Sequence, residues 1–350
     1  MPNEMMAFTV ALIAAVSLTF PVRRLALYWG MVDLPGPRKV HATPVPLLGG
    51  VAIYLAFLLA LVVTTHGPTW TQIFGILGGA TLVAVVGFLD DSGLLHHQLK
   101  LFVAMPLAGL LLLASGIRAQ VFVELIPGPR GAFLDGCLTI LWVVGITAAF
   151  SILDHMDGLC AGIAAIAAAS FALFAFISGQ VLVSTLAAAT FGAALGFLGW
   201  NFKPAKIFMG DGGAMFLGFL MAALGLKLRL PSVQSSAQWL VPVLVLGVPI
   251  FDTTLISISR SRRGLLPFTS PGKDHTAHRL ANLGLGQKHA VLTLYALGVL
   301  FGESAFLLRS FSSPKGYALA GSIALLGFIA ILRLEKAPYE HQQILNKRAT

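Results

Sequence analysis

Aspartates cluster at four points of this sequence, each at the edge of a long apolar run. They are Asp90-Asp91, then Asp154 with Asp157, then Asp211 within Met209-Gly210-Asp211-Gly212-Gly213, and last Asp252, ahead of a basic loop holding Lys273, Asp274, His275, His278 and Arg279. Adjacent carboxylates repel each other, and both stay ionised most easily with a cation or ammonium nearby; Lys100 opens the next apolar run. Hard divalent cations such as Mg²⁺ take oxygen donors of this kind together with phosphate oxygens. Asp154 and Asp157 are three apart, so a helical turn puts them on one face. Around Asp211, glycine permits close backbone approach, and the N-terminus of the following helix offers free N–H groups to an anion after Lys203 and Lys206. His275 and His278, also three apart, suit either a zinc site or a phosphate clamp. Zinc would need a third and a fourth good ligand and no cysteine is near, so phosphate contact is the expectation.

The elements that must hold these residues are membrane spans. The chain is 57% hydrophobic and 11% charged, with a mean hydropathy of +0.86, where a soluble domain carries about 25% charged residues. A span needs about 20 mostly apolar residues. That length predicts eleven helices, near residues 5–22, 47–65, 73–89, 100–116, 134–151, 158–177, 181–199, 212–228, 237–258, 289–308 and 316–333. The sixth and seventh are parted only by a turn at Ser178-Gly179-Gln180, and a count of ten remains open. The expected architecture is an all-α polytopic membrane protein forming a single domain over residues 1–350. The first run, Met6 to Pro21, lacks a basic leader and a small-residue cleavage site, so a retained helix is expected. Cys137 and Cys160 lie near opposite ends of neighbouring runs and are expected to be small core residues rather than a disulfide.

Charge sets the orientation. Of 23 Lys and Arg, seventeen fall in the odd-numbered connections and the C-terminal tail, which the positive-inside rule assigns to the cytoplasm. The N-terminus is then outside and the C-terminus inside. Eight of the fourteen acidic residues share the cytoplasmic side: Asp33, Asp90, Asp91, Asp154, Asp157, Asp211, Asp252 and Asp274. The orientation rule does not require this, whereas a site for metal and phosphate does. The net charge of +9 therefore reports orientation and attraction to anionic lipid or phosphorylated substrate, not nucleic acid. A secondary transporter is the rival class; it would place its acids near mid-span and often shows inverted repeats.

Taken in order, these pieces resemble the polyprenyl-phosphate N-acetylhexosamine-1-phosphate transferases. The matching residues are Arg38-Lys39 with His41 and Gly49-Gly50, then Asp90-Asp91, then Asp154 through Asp157-Gly158-Leu159. Asn201-Phe202 through Phe208-Met209-Gly210-Asp211, Asp252-Thr253 and the His275 to His278 loop complete the set. The resemblance implies ten or eleven helices, a cytoplasmic cleft, and transfer of a sugar 1-phosphate from a UDP-N-acetylhexosamine to polyprenyl (undecaprenyl) phosphate with release of UMP. It implies Mg²⁺, with Mn²⁺ able to replace it, at Asp211 with Asp154 and Ser151. The Asp90-Asp91 pair becomes the catalytic and acceptor-phosphate site. Lys39, His41, Lys100, Asp157, Asn201, Phe208, Asp252, His275, His278 and Arg279 become substrate contacts. The implied location is the bacterial inner membrane, at the start of a cell-envelope polysaccharide, with a homodimer left open. Three positions depart from the family pattern: Ser151 replaces a usual Asn, His155 stands where Gly or Asn is common, and Ala277 replaces one histidine of a His-x-His-His run. The loop is also unlike that of the peptidoglycan translocases, which points away from a MurNAc-pentapeptide substrate.

Overall fold

An apolar run in lipid must satisfy its backbone hydrogen bonds internally, and the helix does so within one segment. In a computed structural model of the protein, which describes residues 2–34, 43–64, 70–95, 97–233, 235–266 and 272–337, each of the eleven expected runs is helical. They are α1 Asn3–Tyr28, α2 Gly49–Thr64, α3 Trp70–Asp91, α4 Lys100–Ala114, α5 Pro129–Leu153, α6 Leu159–Ile177, α7 Val181–Asn201, α8 Gly210–Lys227, α9 Gly247–Arg262, α10 Gly286–Leu307 and α11 Ser313–Leu334. Among the described residues seven helices are long and apolar enough to cross a membrane unaided: α1, α3, α5, α6, α7, α11 and the run Thr276–Ser310 that contains α10. The protein is a multi-pass membrane protein.

The helices outside that group have physical reasons for being so. The expected ninth span, 237–258, is broken at Leu246 into a turn Leu240–Val245 and α9. Pro249 has no N–H to return to the carbonyl of Val245 and its ring crowds that turn, which accounts for a break there. Helices α2 and α4 are short, and α4 opens with a π-helical turn, Lys100–Ala104. Helix α8 is the axis of the bundle, packed by α2, α3, α5, α6 and α7, and every residue in it except Asp211 and Lys227 is buried.

Close helix contact here depends on small residues, as it does generally in lipid, where hydrophobicity does not drive one helix onto another. Gly192 and Gly196 of α7 face the backbone of α1 at Phe8 and Leu12; a Cβ on Gly192 would lie 2.3 Å from the Phe8 carbonyl oxygen. The start of α2 is pinned beside α8. Strand β1, Val32–Asp33, pairs antiparallel with β2, Val45–Pro46, and Leu47 then pairs with Phe208. The Phe208 N–H donates to the Pro46 carbonyl at 2.9 Å, and the Gly49 and Gly50 N–H groups donate to the carbonyls of Phe208 and Met209 at 2.9 Å each.

Gly87 of α3 lies directly against the α8 backbone: a Cβ there would stand 2.6 Å from both Cα and N of Gly212. Backbone cannot yield as a side-chain tip can, so Gly87→Ala is expected to cost about 1–3 kcal/mol through overpacking. It should also displace Asp211. Thermal unfolding in detergent checks this, and an unchanged Tm would mean the two helices are held less tightly than 2.6 Å requires.

Candidate active site

Four helix ends meet at one end of the bundle. Helix α3 finishes on Asp90-Asp91, α5 finishes two residues past Ser151 and is followed by Asp154, α4 begins at Lys100, and α8 begins just before Asp211. The Lys100 ammonium donates to Asp90 Oδ2 at 2.8 Å and to Asp211 Oδ2 at 2.5 Å. Ser151 donates its hydroxyl to the other oxygen of Asp211 at 2.6 Å. Asp91 turns to α8: its two oxygens accept the N–H groups of Asp211 (2.9 Å) and Gly212 (3.1 Å). A carboxylate on the free amides of a helix N-terminus is held by both hydrogen bonding and the helix dipole. Asp91 thus fixes the helix that carries Asp211.

The charge count decides what this site can hold. Asp90, Asp91, Asp154 and Asp211 bring four carboxylates against one ammonium, Lys100, among the described residues. Burial, reinforced by the charges of Asp211, Asp91 and Asp157, pushes the Asp154 carboxyl well above the usual carboxylate range. All the donors are hard oxygens and the excess charge is negative, so the residues fit a divalent cation of the Mg²⁺ class. Asp211 and Asp154 would hold it, with the Ser151 hydroxyl beside them. A transporter would carry its acids near mid-span; these sit at helix ends.

One peptide bond from Asp154, His155, which sequence reading left out of the site, joins the expected contacts Asp252, His275 and His278 in a second cluster. Its ring stacks on His275 with centroids 3.8 Å apart and lies 4.8 Å from the His278 ring. Asp252 Oδ2 is 3.0 Å from His275 Nδ1, and its Oδ1 accepts the Thr276 N–H at 2.7 Å. Burial and the neighbouring His275 hold His155 well below the usual imidazole range. The aspartate of the basic loop is structural. Burial alone would raise the Asp274 carboxyl, but the paired Arg260 and Arg263 reverse this and hold it below the usual range.

Several residues expected to touch substrate are held by bonds within the protein. Asp157 accepts the Ala205 N–H at 3.1 Å. Asn201 accepts from Gly158 N–H and donates to the Ile207 carbonyl, both at 3.0 Å, tying the Asp157 turn to the segment before α8. The half-buried Phe208 is fixed through its backbone to β2 and α2. Arg279 is fully buried, and its guanidinium bonds to the carbonyls of Asp274 and Leu334, to Ser259 and to Glu335. These partners make it a clamp between the basic loop and α11. Accordingly, Arg279→Met is expected to lose about 3–5 kcal/mol by stranding its partners. If Arg279→Lys instead unfolds normally but raises KM for the donor, Arg279 belongs to the substrate site. Lys39 and His41 lie outside the described residues.

Residues 73–229 match the model of glycosyl transferase family 4, a stretch that contains all four site carboxylates, Ser151 and Lys100. The chain is 37% identical over 308 residues to a probable undecaprenyl-phosphate N-acetylglucosaminyl 1-phosphate transferase of Bacillus subtilis, covering 87% of this chain and 84% of that one. It is 31% identical to a decaprenyl-phosphate N-acetylglucosaminephosphotransferase of Mycobacterium tuberculosis, over 93% and 88% of the two chains. It is 27% identical to an undecaprenyl-phosphate alpha-N-acetylglucosaminyl 1-phosphate transferase of Yersinia pestis, over 80% and 77%. The chain belongs to the polyprenyl-phosphate N-acetylhexosamine-1-phosphate transferases.

Proposed function

We propose that the protein transfers N-acetylglucosamine 1-phosphate, or a related N-acetylhexosamine 1-phosphate, from a UDP-sugar to undecaprenyl phosphate and releases UMP. The observation that carries this reading is the convergence of Asp90, Asp91, Asp154, Asp211 and Lys100 at one end of a membrane bundle. An oxygen of the lipid phosphate attacks the phosphorus that bears the sugar. The bond from that phosphorus to the bridging oxygen breaks, and UMP leaves with this oxygen. Phosphoryl transfer of this kind is mainly positioning and charge neutralisation. Bound Mg²⁺ would neutralise the diphosphate and the developing charge on the leaving oxygen. Lys100, between Asp90 and Asp211, sets the spacing of the carboxylates and offers its ammonium to a phosphate oxygen. One of Asp90 and Asp91 takes the acceptor's remaining proton. An ionised phosphate is already a competent nucleophile, so single displacement suffices. The excess of Lys and Arg in the odd connections supports eleven spans, a cytoplasmic site and a bacterial inner-membrane location.

The test is UMP release by detergent-purified protein with undecaprenyl phosphate, Mg²⁺ and a panel of UDP-N-acetylhexosamines. Release that requires both lipid and metal and favours one sugar supports the reading. Protein that is folded yet inactive with every donor overturns it.

A further inference from the structure

The imidazole cluster beside the carboxylates has the makings of a metal site of a different kind. Ligand atoms from His155, Asp252 and His275 lie within 4.8 Å of one another. Their protonation is fixed by their neighbours. His155 Nδ1 is 3.2 Å from the Ile152 carbonyl oxygen, which can only accept, so Nδ1 carries the proton and Nε2 keeps its lone pair. That Nε2 is sealed from solvent and has no hydrogen-bond partner. A buried polar atom with nothing to bond costs about 1–3 kcal/mol, and a lone pair so placed calls for a donor or a cation. A phosphate oxygen is itself an acceptor and does not meet that need.

At His275 the geometry is equally suggestive. Its Nδ1 and Asp252 Oδ2 are 3.0 Å apart around a shared proton. Zinc bonds imidazole nitrogen at about 2.0–2.1 Å and carboxylate oxygen at about 2.0–2.2 Å, so an ion displacing that proton lies to one side of the N···O line, and the pair opens to about 3.4 Å for a tetrahedral angle. The other Asp252 oxygen stays anchored on the Thr276 N–H. The His155 ring must swing out of its 26° stack on His275 to bring Nε2 to the ion. The His278 ring lies 4.8 Å from that of His155 but outside the group of three, so water completes the coordination in this arrangement.

We propose that His155, Asp252 and His275, with His278 at their edge, bind a divalent first-row transition ion of the zinc class, separate from the all-oxygen site at Asp211. Imidazole nitrogens select such ions over Mg²⁺, which prefers carboxylate, carbonyl and water. Two residues that carry the site, His155 and Asp252, lie 97 positions apart in sequence. The inference stands independently of the transferase reading, because its measurement reports metal rather than turnover. Binding displaces the proton shared by His275 and Asp252, so affinity should rise with pH.

The experiment titrates chelator-stripped, full-length protein in detergent with Co²⁺ and follows its visible ligand-field absorption. Stoichiometric binding is expected, displaced by Zn²⁺ but not by millimolar Mg²⁺. The band should vanish in His155→Ala and His275→Gln and survive in Asp211→Asn. Size-exclusion profiles and Tm of each variant separate lost binding from lost folding. If His155→Ala does not fold, His155→Asn takes its place. The absence of a band, a band removed by Mg²⁺ or by Asp211→Asn, or one that persists in both histidine variants, overturns the proposal.

Discussion

Asp211→Asn is expected to lower turnover by about 1,000-fold, the scale reached when one pre-organised electrostatic group is lost, while the protein stays folded. The amide keeps the size of the side chain and can still accept the Ser151 hydroxyl. At Oδ2, however, a donor now faces the Lys100 ammonium, which formerly gave that oxygen a 2.5 Å bond. Lys100 then falls back on Asp90, its other partner at 2.8 Å. Helix α8 keeps its anchor, because Asp91 grips the backbone of residues 211 and 212 rather than the Asp211 side chain. The measurement is initial rate at saturating Mg²⁺, donor and lipid acceptor, with Tm recorded alongside. A variant keeping more than a tenth of the wild-type rate would remove Asp211 from the chemistry. Asp91→Asn should also abolish transfer but lower Tm as well, because an amide side chain has one oxygen where two N–H groups need to be met.

Lys100→Met should move two quantities in opposite directions. Turnover should fall about 100-fold, because the positioned ammonium is gone. Affinity for Mg²⁺ should tighten at least tenfold, because the cation no longer competes with a fixed positive charge among four carboxylates. A tenfold change needs only about 1.4 kcal/mol, and unit charges 4 Å apart interact by about 4 kcal/mol at the effective dielectric of a protein surface. The Mg²⁺ dependence of the rate reads both at once. A half-saturating Mg²⁺ concentration that rises in the variant would show that Lys100 helps to build the cation site rather than compete with it.

Much of this was legible in the sequence because a bilayer imposes a length on apolar runs and charge asymmetry labels their ends. The segments later found as α1 to α11 stand out for that reason, as does the gathering of aspartates at one side. Two things were hidden. The break at Leu246 turns on Pro249 within a run whose length and apolar content read as one span. The direction in which a polar side chain turns is set by partners far along the chain. Asn201 and Arg279 have the right type and the right side for binding substrate, and nothing in the sequence showed that partners at Gly158, Ile207 and Leu334 make them tethers. His155 shows the converse: a departure from the family pattern at one position becomes a stacked partner of His275 only once the loop folds back. A histidine at 155 together with the His275 to His278 loop was the available signal.

The enclosure of α8 also dictates an order of assembly. Its glycines and its two charged residues make it a poor candidate for entering lipid on its own, and it lacks a lipid-facing stripe to favour doing so. It must therefore be received by neighbours already in place, with α3 and α5 behind it in the order of synthesis and α7 leading directly into it. The helix that delivers Asp211 is among the last of the central group to find its seat, so a nascent chain cannot possess an active site before it possesses a bundle.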